Sequence, residues 1–147
     1  MEHESLTVLL VRPGMYPEVK TIPNTLQSLQ QQVGGMIETV YPWPSERVCL
    51  VCNDEGKLMG LPLNRVIPEI DDAIAGTFFV SGIYYSSDGG DFCSLSEKQI
   101  EEFEKKYHWP ELFCRSPLGI HVRRCTPEQY DRAMGIRRSE SNEHEER

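Results

Sequence analysis

Apolar residues gather in short runs that predict the strands of the protein. Residues 6–11 and 47–52 are nearly continuous in aliphatic and β-branched side chains, which is typical of strands buried on both faces. Residues 18–22 alternate polar and apolar side chains, as a half-exposed hairpin partner does. Residues 36–41 and 77–80 also have strand character. These runs predict four to five strands.

Three segments carry the signals of a helix. The first begins with Asn24 as N-cap and Gln27 at the capping-box position, and it ends at Gly34-Gly35. The other two come late in the chain, and their signals are Ser94 or Ser96 as cap with the buried stripe Ile100, Phe103 and Tyr107, and then Thr126, Pro127 and Gly135.

This order of elements predicts an α+β fold with a mixed, mostly antiparallel sheet, one early helix and two late helices. We expect a single globular domain over residues 1–136, in which 108–136 is an extra C-terminal segment, and a polar flexible tail at 137–147. Residues 84–91 are predicted to be a polar loop, and 112–122 show no clear period.

Composition limits the classes of partner. The chain has 147 residues and a formal net charge of −8, which argues against direct nucleic-acid binding because that needs clustered Lys and Arg. No apolar run approaches the roughly 18 residues that a membrane helix needs. The acidic N-terminus lacks the basic start of a signal peptide. We therefore expect a cytoplasmic protein, not bound to a membrane, whose five cysteines are reduced thiols.

The stretch 53–65 contains the best candidate for a binding site. It is expected to open with a tight turn that has Gly56 at a position of positive φ, and to run back as a short strand at 58–61. It ends in Asn64 and Arg65. A guanidinium offers a planar fork of donors that matches a phosphate or carboxylate, and a nearby amide can bind a base edge or ribose.

Three further residues complete the predicted ligand site. Glu38 lies on a strand that we expect beside Arg65, while Trp43 and Tyr84 supply rings that can stack on a base. The alternative is structural: Arg65 pairs with Glu38 or Glu55, and the Asn64 amide satisfies local backbone.

No motif for catalysis or metal binding emerges. Cys49 and Cys52 have the spacing of a metal knuckle, but positions three apart in a strand point to opposite faces, which favours buried thiols. No motif places His108 or His121 beside a cysteine as a catalytic base. We therefore predict a protein that is not an enzyme and that uses neither a cofactor nor a metal.

The order of motifs resembles that of a known family. The motifs are an apolar first strand running into Arg-Pro-Gly, then IPNTLQSLQ, VGGMIE, VCNDEGKLMGLPLNR, AGTFFVSG and the LSEKQI start of the late helix. Together they are similar to the uncharacterised domain-of-unknown-function family three-eight-four-six, which is found in Gram-positive bacteria and in their phages and mobile elements. The resemblance covers about residues 6–107.

The resemblance implies an accessory protein of a phage or mobile element, with no activity or site residues to carry over. One hypothesis is a protein that binds and sequesters a small anionic, nucleotide-like ligand to counter host defence, and it requires a concave pocket containing Arg65. The other is an acidic module that inhibits a host defence protein by imitating DNA, and it requires contiguous carboxylates on one face. The sequence leaves open whether the protein is a homo-oligomer.

Overall fold

The computed structural model describes residues 4–138, and it confirms the α+β class. Within those residues the strands are β1 (Ser5–Val11), β2 (Glu18–Pro23), β3 (Ile37–Val40), β4 (Val48–Asn53), β5 (Leu63–Ile67), β6 (Asp72–Ala75), β7 (Phe78–Ser86), β8 (Gly89–Cys93), β9 (Glu111–Ser116) and β10 (Gly119–Arg124). The helices are α1 (Leu26–Val33), α2 (Glu97–Lys106) and α3 (Pro127–Met134), and a short 3-10 helix spans Pro68–Ile70.

Six strands form the central sheet. Five follow the order β2-β1-β7-β4-β3, and β8 pairs with β7. Every pair in this sheet is antiparallel. The hairpins β5–β6 and β9–β10 form two separate two-stranded sheets.

The described residues contain more strands than the four to five predicted. The predicted polar loop at 84–91 is instead the tip of the β7–β8 hairpin, in which Ser86 pairs with Gly89. Residues 112–122, for which the sequence shows no clear period, belong to the hairpin β9–β10. Both were missed because glycine-rich or fully exposed strands lack the apolar alternation from which a strand is predicted.

The central strands bury both of their faces, as their continuous apolar runs predict. In β1, Leu6, Val8 and Leu10 point to the side covered by α1. Leu9 and Val11 point to the opposite side, which α2 covers. Every residue of β4 is buried. The alternation of side chains in a strand thus creates two cores from one apolar run.

The helix ends follow the predicted caps with one shift. Ser96 and Thr126 both form capping boxes, and Gly34 takes the left-handed conformation after α1 with φ 79°. The N-cap of α1, however, is Thr25 and not Asn24. Asn24 still belongs to the strand pairing, because its N–H donates to Glu4 O at 3.0 Å.

The predicted short strand at 58–61 is wrong, because residues 54–60 form consecutive turns. Gly56 does not have a positive φ. It is needed for a close approach instead, since a Cβ there would lie 2.5 Å from Ala75 O. The turns therefore press the backbone of this segment against β6.

The C-terminal segment packs as a unit on the loop after β1. Leu112, Cys125 and Tyr130 form its small core. The Tyr130 ring covers Gly14, where a Cβ would lie 2.2 Å from Cδ1 of the ring and where φ is +75°. Most of the predicted flexible tail, residues 139–147, lies outside the described part of the chain.

Candidate functional site

Asn64 and Arg65 lie in β5, where the pairing with β6 shifts in register between Leu63 and Arg65. Such a shift marks a β-bulge, which places two residues opposite one and re-aims a side chain. In a regular strand these neighbours would point to opposite faces. Here both side chains are fully buried, and Arg65 Nη1 donates to Asn64 Oδ1 at 2.8 Å. The bulge explains how an amide and a guanidinium enter the interior together.

Backbone carbonyls hold the Arg65 guanidinium. Nε and Nη2 both donate to Tyr107 O, at 3.2 and 3.0 Å, and Nη2 also donates to Met15 O at 2.7 Å. None of the salt bridges within residues 4–138 involves Arg65. Burial lowers the pKa of Arg65 to about 10, against a smaller opposing effect of the Glu111 carboxylate. The side chain therefore keeps its positive charge at neutral pH.

Asn64 binds two more segments of backbone. Its Nδ2 donates to Val11 O and to Gly76 O, both at 2.9 Å. The two side chains thus connect the end of β1, the loop after it, the turn before β7 and the end of α2. We call this set of hydrogen bonds the Arg65–Asn64 network.

The ligand-binding role expected for Asn64 and Arg65 does not agree with this geometry, because side chains without exposed surface cannot touch a ligand. The structural alternative is correct for Asn64 in that its amide satisfies backbone carbonyls, but these belong to Val11 and Gly76 and not to local backbone. Its proposed partners for Arg65 are wrong. The guanidinium bonds to carbonyls and to Asn64, and to neither Glu38 nor Glu55.

The other three predicted residues are dispersed over the molecule. Trp43 is only 7% exposed and packs edge-on against Phe103, with ring centroids 4.7 Å apart. Tyr84 is half-buried in the β7–β8 hairpin, where its Oη donates to Asp91 Oδ2 at 3.4 Å. Glu38 is exposed on the edge strand β3 and pairs in register with Cys52. The five predicted residues therefore do not converge on one site.

Glu38 lines a surface cavity of about 170 Å³ between β4 and β6. Asp54, Glu55 and Asp72 also line it, beside a single cation, Lys57. Lys57 forms a salt bridge with Asp72 at 2.5 Å. The surface here remains predominantly acidic, because one lysine faces four carboxylates.

Three aromatic rings meet at the surface, next to the two backbone carbonyls that accept hydrogen bonds from Arg65 Nη2. The rings of Tyr16 and His108 stack with centroids 4.6 Å apart and an interplanar angle of 19°. Trp109 stands edge-on to both, at 4.8 Å from His108 and 6.1 Å from Tyr16. Tyr16 and Trp109 are each 42% exposed. We call these three residues the aromatic cluster.

Arg65 positions this cluster without touching solvent. Its two backbone acceptors are Met15 and Tyr107, which directly precede Tyr16 and His108 in the chain. One guanidinium therefore fixes the spacing of the two segments that carry the stacked rings. The His108 ring is fixed from a second side, because its Nδ1 lies 2.9 Å from Glu104 Oε2.

The profile of a family described as Domain of unknown function (DUF3846) matches residues 6–108. The chain belongs to this family. Tyr16, His108 and Arg65 fall inside the matched DUF3846 region, whereas Trp109 and the segment from β9 to α3 follow it. No curated protein and no solved structure matches the chain.

Residues 4–138 contain no helix long and apolar enough to cross a membrane. Within the same range, no three His, Cys, Asp or Glu side chains are arranged to hold a metal ion. All five cysteines are free thiols, and burial raises the pKa of both Cys49 and Cys52 to about 12.

Tyr16 and Trp109 were not predicted as site residues. Their positions carried a signal, since Tyr16 lies in a turn between prolines and Trp109 lies between a helix end and Pro110. Aromatic residues in such rigid, non-periodic segments cannot be assigned to a core face. The contact between Tyr16 and His108, 92 residues apart in the chain, could not be inferred from the local sequence pattern.

Proposed function

We propose that this DUF3846 protein is a non-enzymatic binding protein that holds a small anionic, nucleotide-like ligand on the aromatic cluster. The observation that supports the proposal is the exposed, ordered arrangement of Tyr16, His108 and Trp109 above a buried positive charge. Rings fixed in this way offer a face on which a base can stack. The protein would act in the cytoplasm, as an accessory of a phage or mobile element that sequesters a signalling nucleotide.

The Arg65–Asn64 network supports this role in two ways. It holds the rings in place before a ligand arrives, so that little conformational entropy is lost on binding. It also places a guanidinium without an ion-pair partner beneath the cluster, and a charge in a low-dielectric interior acts over a longer distance than one in water. The guanidinium therefore favours an anionic ligand, against the opposing charge of the Glu104 carboxylate beside His108.

Tryptophan fluorescence can test the proposal directly. The chain has two tryptophans; Trp43 is buried and Trp109 is exposed, so quenching by an added nucleotide would report on Trp109. We expect linear or cyclic nucleotides to quench emission and to raise the melting temperature. At a ligand concentration about 100 times the dissociation constant, the gain in stability is about 2.7 kcal/mol.

A matched pair of variants gives this test its control. Trp109→Ala lacks the fluorescent reporter, so its binding is followed by the rise in melting temperature. This variant should weaken nucleotide binding by about 5- to 150-fold, because base–aromatic stacking contributes about 1–3 kcal/mol. Tyr85→Ala should leave binding unchanged, since Tyr85 is 58% exposed on the distant β7–β8 hairpin. Equal losses in the two variants, or no nucleotide that quenches the native protein, would refute the proposal.

A second candidate function is an acidic module that binds a basic host protein. The observation in its favour is the cavity lined by Glu38, Asp54, Glu55 and Asp72. Binding of this kind should weaken as salt rises from low to physiological concentration, because surface charges are screened over about 8–10 Å. A partner captured from host lysate whose binding ignores both salt and Glu38→Lys would rule it out.

A further inference from the structure

Three arginines line a surface cavity where β10 meets α3. Arg123 and Arg124 end β10, and Arg132 lies in the last turn of α3. With Gln129 and Ala133 they line a cavity of about 440 Å³, and none of its described lining residues is acidic. We call this the arginine cavity. It lies outside the region that matches the family.

The charges of these arginines are not neutralised by neighbouring carboxylates. No salt bridge between described residues includes any of the three. Glu111 stands opposite Arg124 in the ladder, but its Oε1 accepts the Val66 N–H at 2.8 Å. Asp131 accepts from Arg138, at 2.7 and 2.9 Å. Glu111 and Asp131 are thus engaged elsewhere, and Glu128, the other carboxylate of α3, forms no salt bridge with the three arginines.

The arginine cavity is lined by positive charges, although the protein as a whole is negatively charged. The chain carries a net charge of −8, but residues 108–136 contain four arginines and three carboxylates. Three of those four arginines line the same cavity. Like charges on one surface repel each other, and an anion bound in the cavity would reduce this repulsion.

The side chains offer the donors that a phosphate group needs. A guanidinium presents its N–H groups in a planar fork that matches two phosphate oxygens. Gln129 adds an amide whose orientation is fixed, because its Oε1 accepts the Thr126 N–H at 2.9 Å in the capping box of α3. That bond leaves the Nε2 hydrogens of Gln129 as donors on a side chain that lines the cavity.

We propose that the arginine cavity binds the phosphate group of a small phosphorylated molecule. The arginine cavity shares no residue with the aromatic cluster and lies outside the family match, so the site stands independently of the function proposed above. The segment that carries Trp109 runs beside β10, since Cys125 N donates to Pro110 O at 3.0 Å. A nucleoside polyphosphate is one source of such a group, and free pyrophosphate is another.

Isothermal titration calorimetry with pyrophosphate at constant ionic strength tests the site. Arg132→Glu should weaken pyrophosphate binding by about tenfold or more, because charge-assisted hydrogen bonds are lost and a repulsive charge is added. Arg115→Glu is the matched control. Arg115 is exposed on β9 and does not line the cavity, so this variant should keep native affinity. Arg132→Gln, with folding checked by circular dichroism, replaces Arg132→Glu if that variant does not fold.

Two more titrations distinguish the possible ligands from each other and the arginine cavity from the aromatic cluster. In Trp109→Ala, which weakens binding at the aromatic cluster, ATP that binds more tightly than pyrophosphate would identify a nucleoside polyphosphate as the ligand of the arginine cavity, and equal affinities would identify the phosphate alone; both support the site. Trp109→Ala should leave pyrophosphate binding intact, which separates this site from the aromatic cluster.

The proposal is overturned if no pyrophosphate binds at concentrations up to about 10 mM, because a millimolar dissociation constant is close to the weakest useful affinity. Equal losses in Arg115→Glu and Arg132→Glu would also overturn it.

Discussion

Replacing Arg65 with methionine tests whether the buried guanidinium holds the surrounding segments together. Arg65 donates four hydrogen bonds to three acceptors, namely Tyr107 O, Met15 O and Asn64 Oδ1. Methionine keeps an apolar side chain in the space but leaves these acceptors unsatisfied, and each buried unsatisfied group costs about 1–3 kcal/mol. Removing a charge from the interior offsets part of that loss. We expect the free energy of unfolding to fall by about 3–5 kcal/mol.

Urea denaturation followed by circular dichroism measures this difference. A loss of that size is a large share of the roughly 5–15 kcal/mol that stabilises a typical domain, and it should lower the melting temperature by about 10 °C. Arg65→Lys should be intermediate, because it keeps the charge and loses the planar fork of donors. The emission of Trp109 should also change in Arg65→Met if the network positions the aromatic cluster.

Arg12→Met is the control for loss of an arginine at the surface. Arg12 forms an exposed salt bridge with Glu18 at 2.8 Å, and such pairs contribute about 0–1 kcal/mol. If Arg65→Met lowers the free energy of unfolding no more than Arg12→Met does, the network does not stabilise the fold and the reasoning is refuted.

Three other predictions concern backbone and thiols. Gly14→Ala should destabilise the protein by about 1–3 kcal/mol more than Gly34→Ala in urea denaturation, because both glycines have a positive φ but only Gly14 faces Tyr130; equal effects would exclude the clash. At pH 8, a thiol reagent should modify exposed Cys114 first and Cys49 only after unfolding. Burial raises the pKa of Cys49 from 9.0 to about 12, so the unfolded chain loses that proton first. Stability should therefore fall as pH rises from 9.0 to about 12, by about 1.4 kcal/mol per pH unit for each such thiol, and Cys49→Ala should reduce the slope.

The parts of the fold that were predictable depend on neighbours in sequence. The runs in β1 and β4 predicted strands buried on both faces, since nearly every position in them is apolar. Caps such as Ser96 and Thr126 act within a few residues, and they were found. Asn24 failed as a cap because a long-range bond to Glu4 keeps it in the strand pairing.

The candidate site could not be predicted in the same way. Asn64 and Arg65 were singled out for the right chemistry, namely a rigid fork of donors beside an amide. The sequence carries no sign of the bulge that turns both side chains inward. Trp43 looked exposed between two prolines, but its ring packs on Phe103 of α2, 60 residues later. Burial of this kind depends on contacts between distant segments.

The Arg65–Asn64 network also has a consequence for folding kinetics. Its bonds join residues 53, 50 and 42 positions apart in the chain, and such contacts form only after long loops have closed. We therefore expect it to be absent from the folding transition state. Interactions absent at the barrier control the rate of unfolding and leave the rate of folding nearly unchanged. Arg65 would then slow unfolding and so prolong the lifetime of the native state.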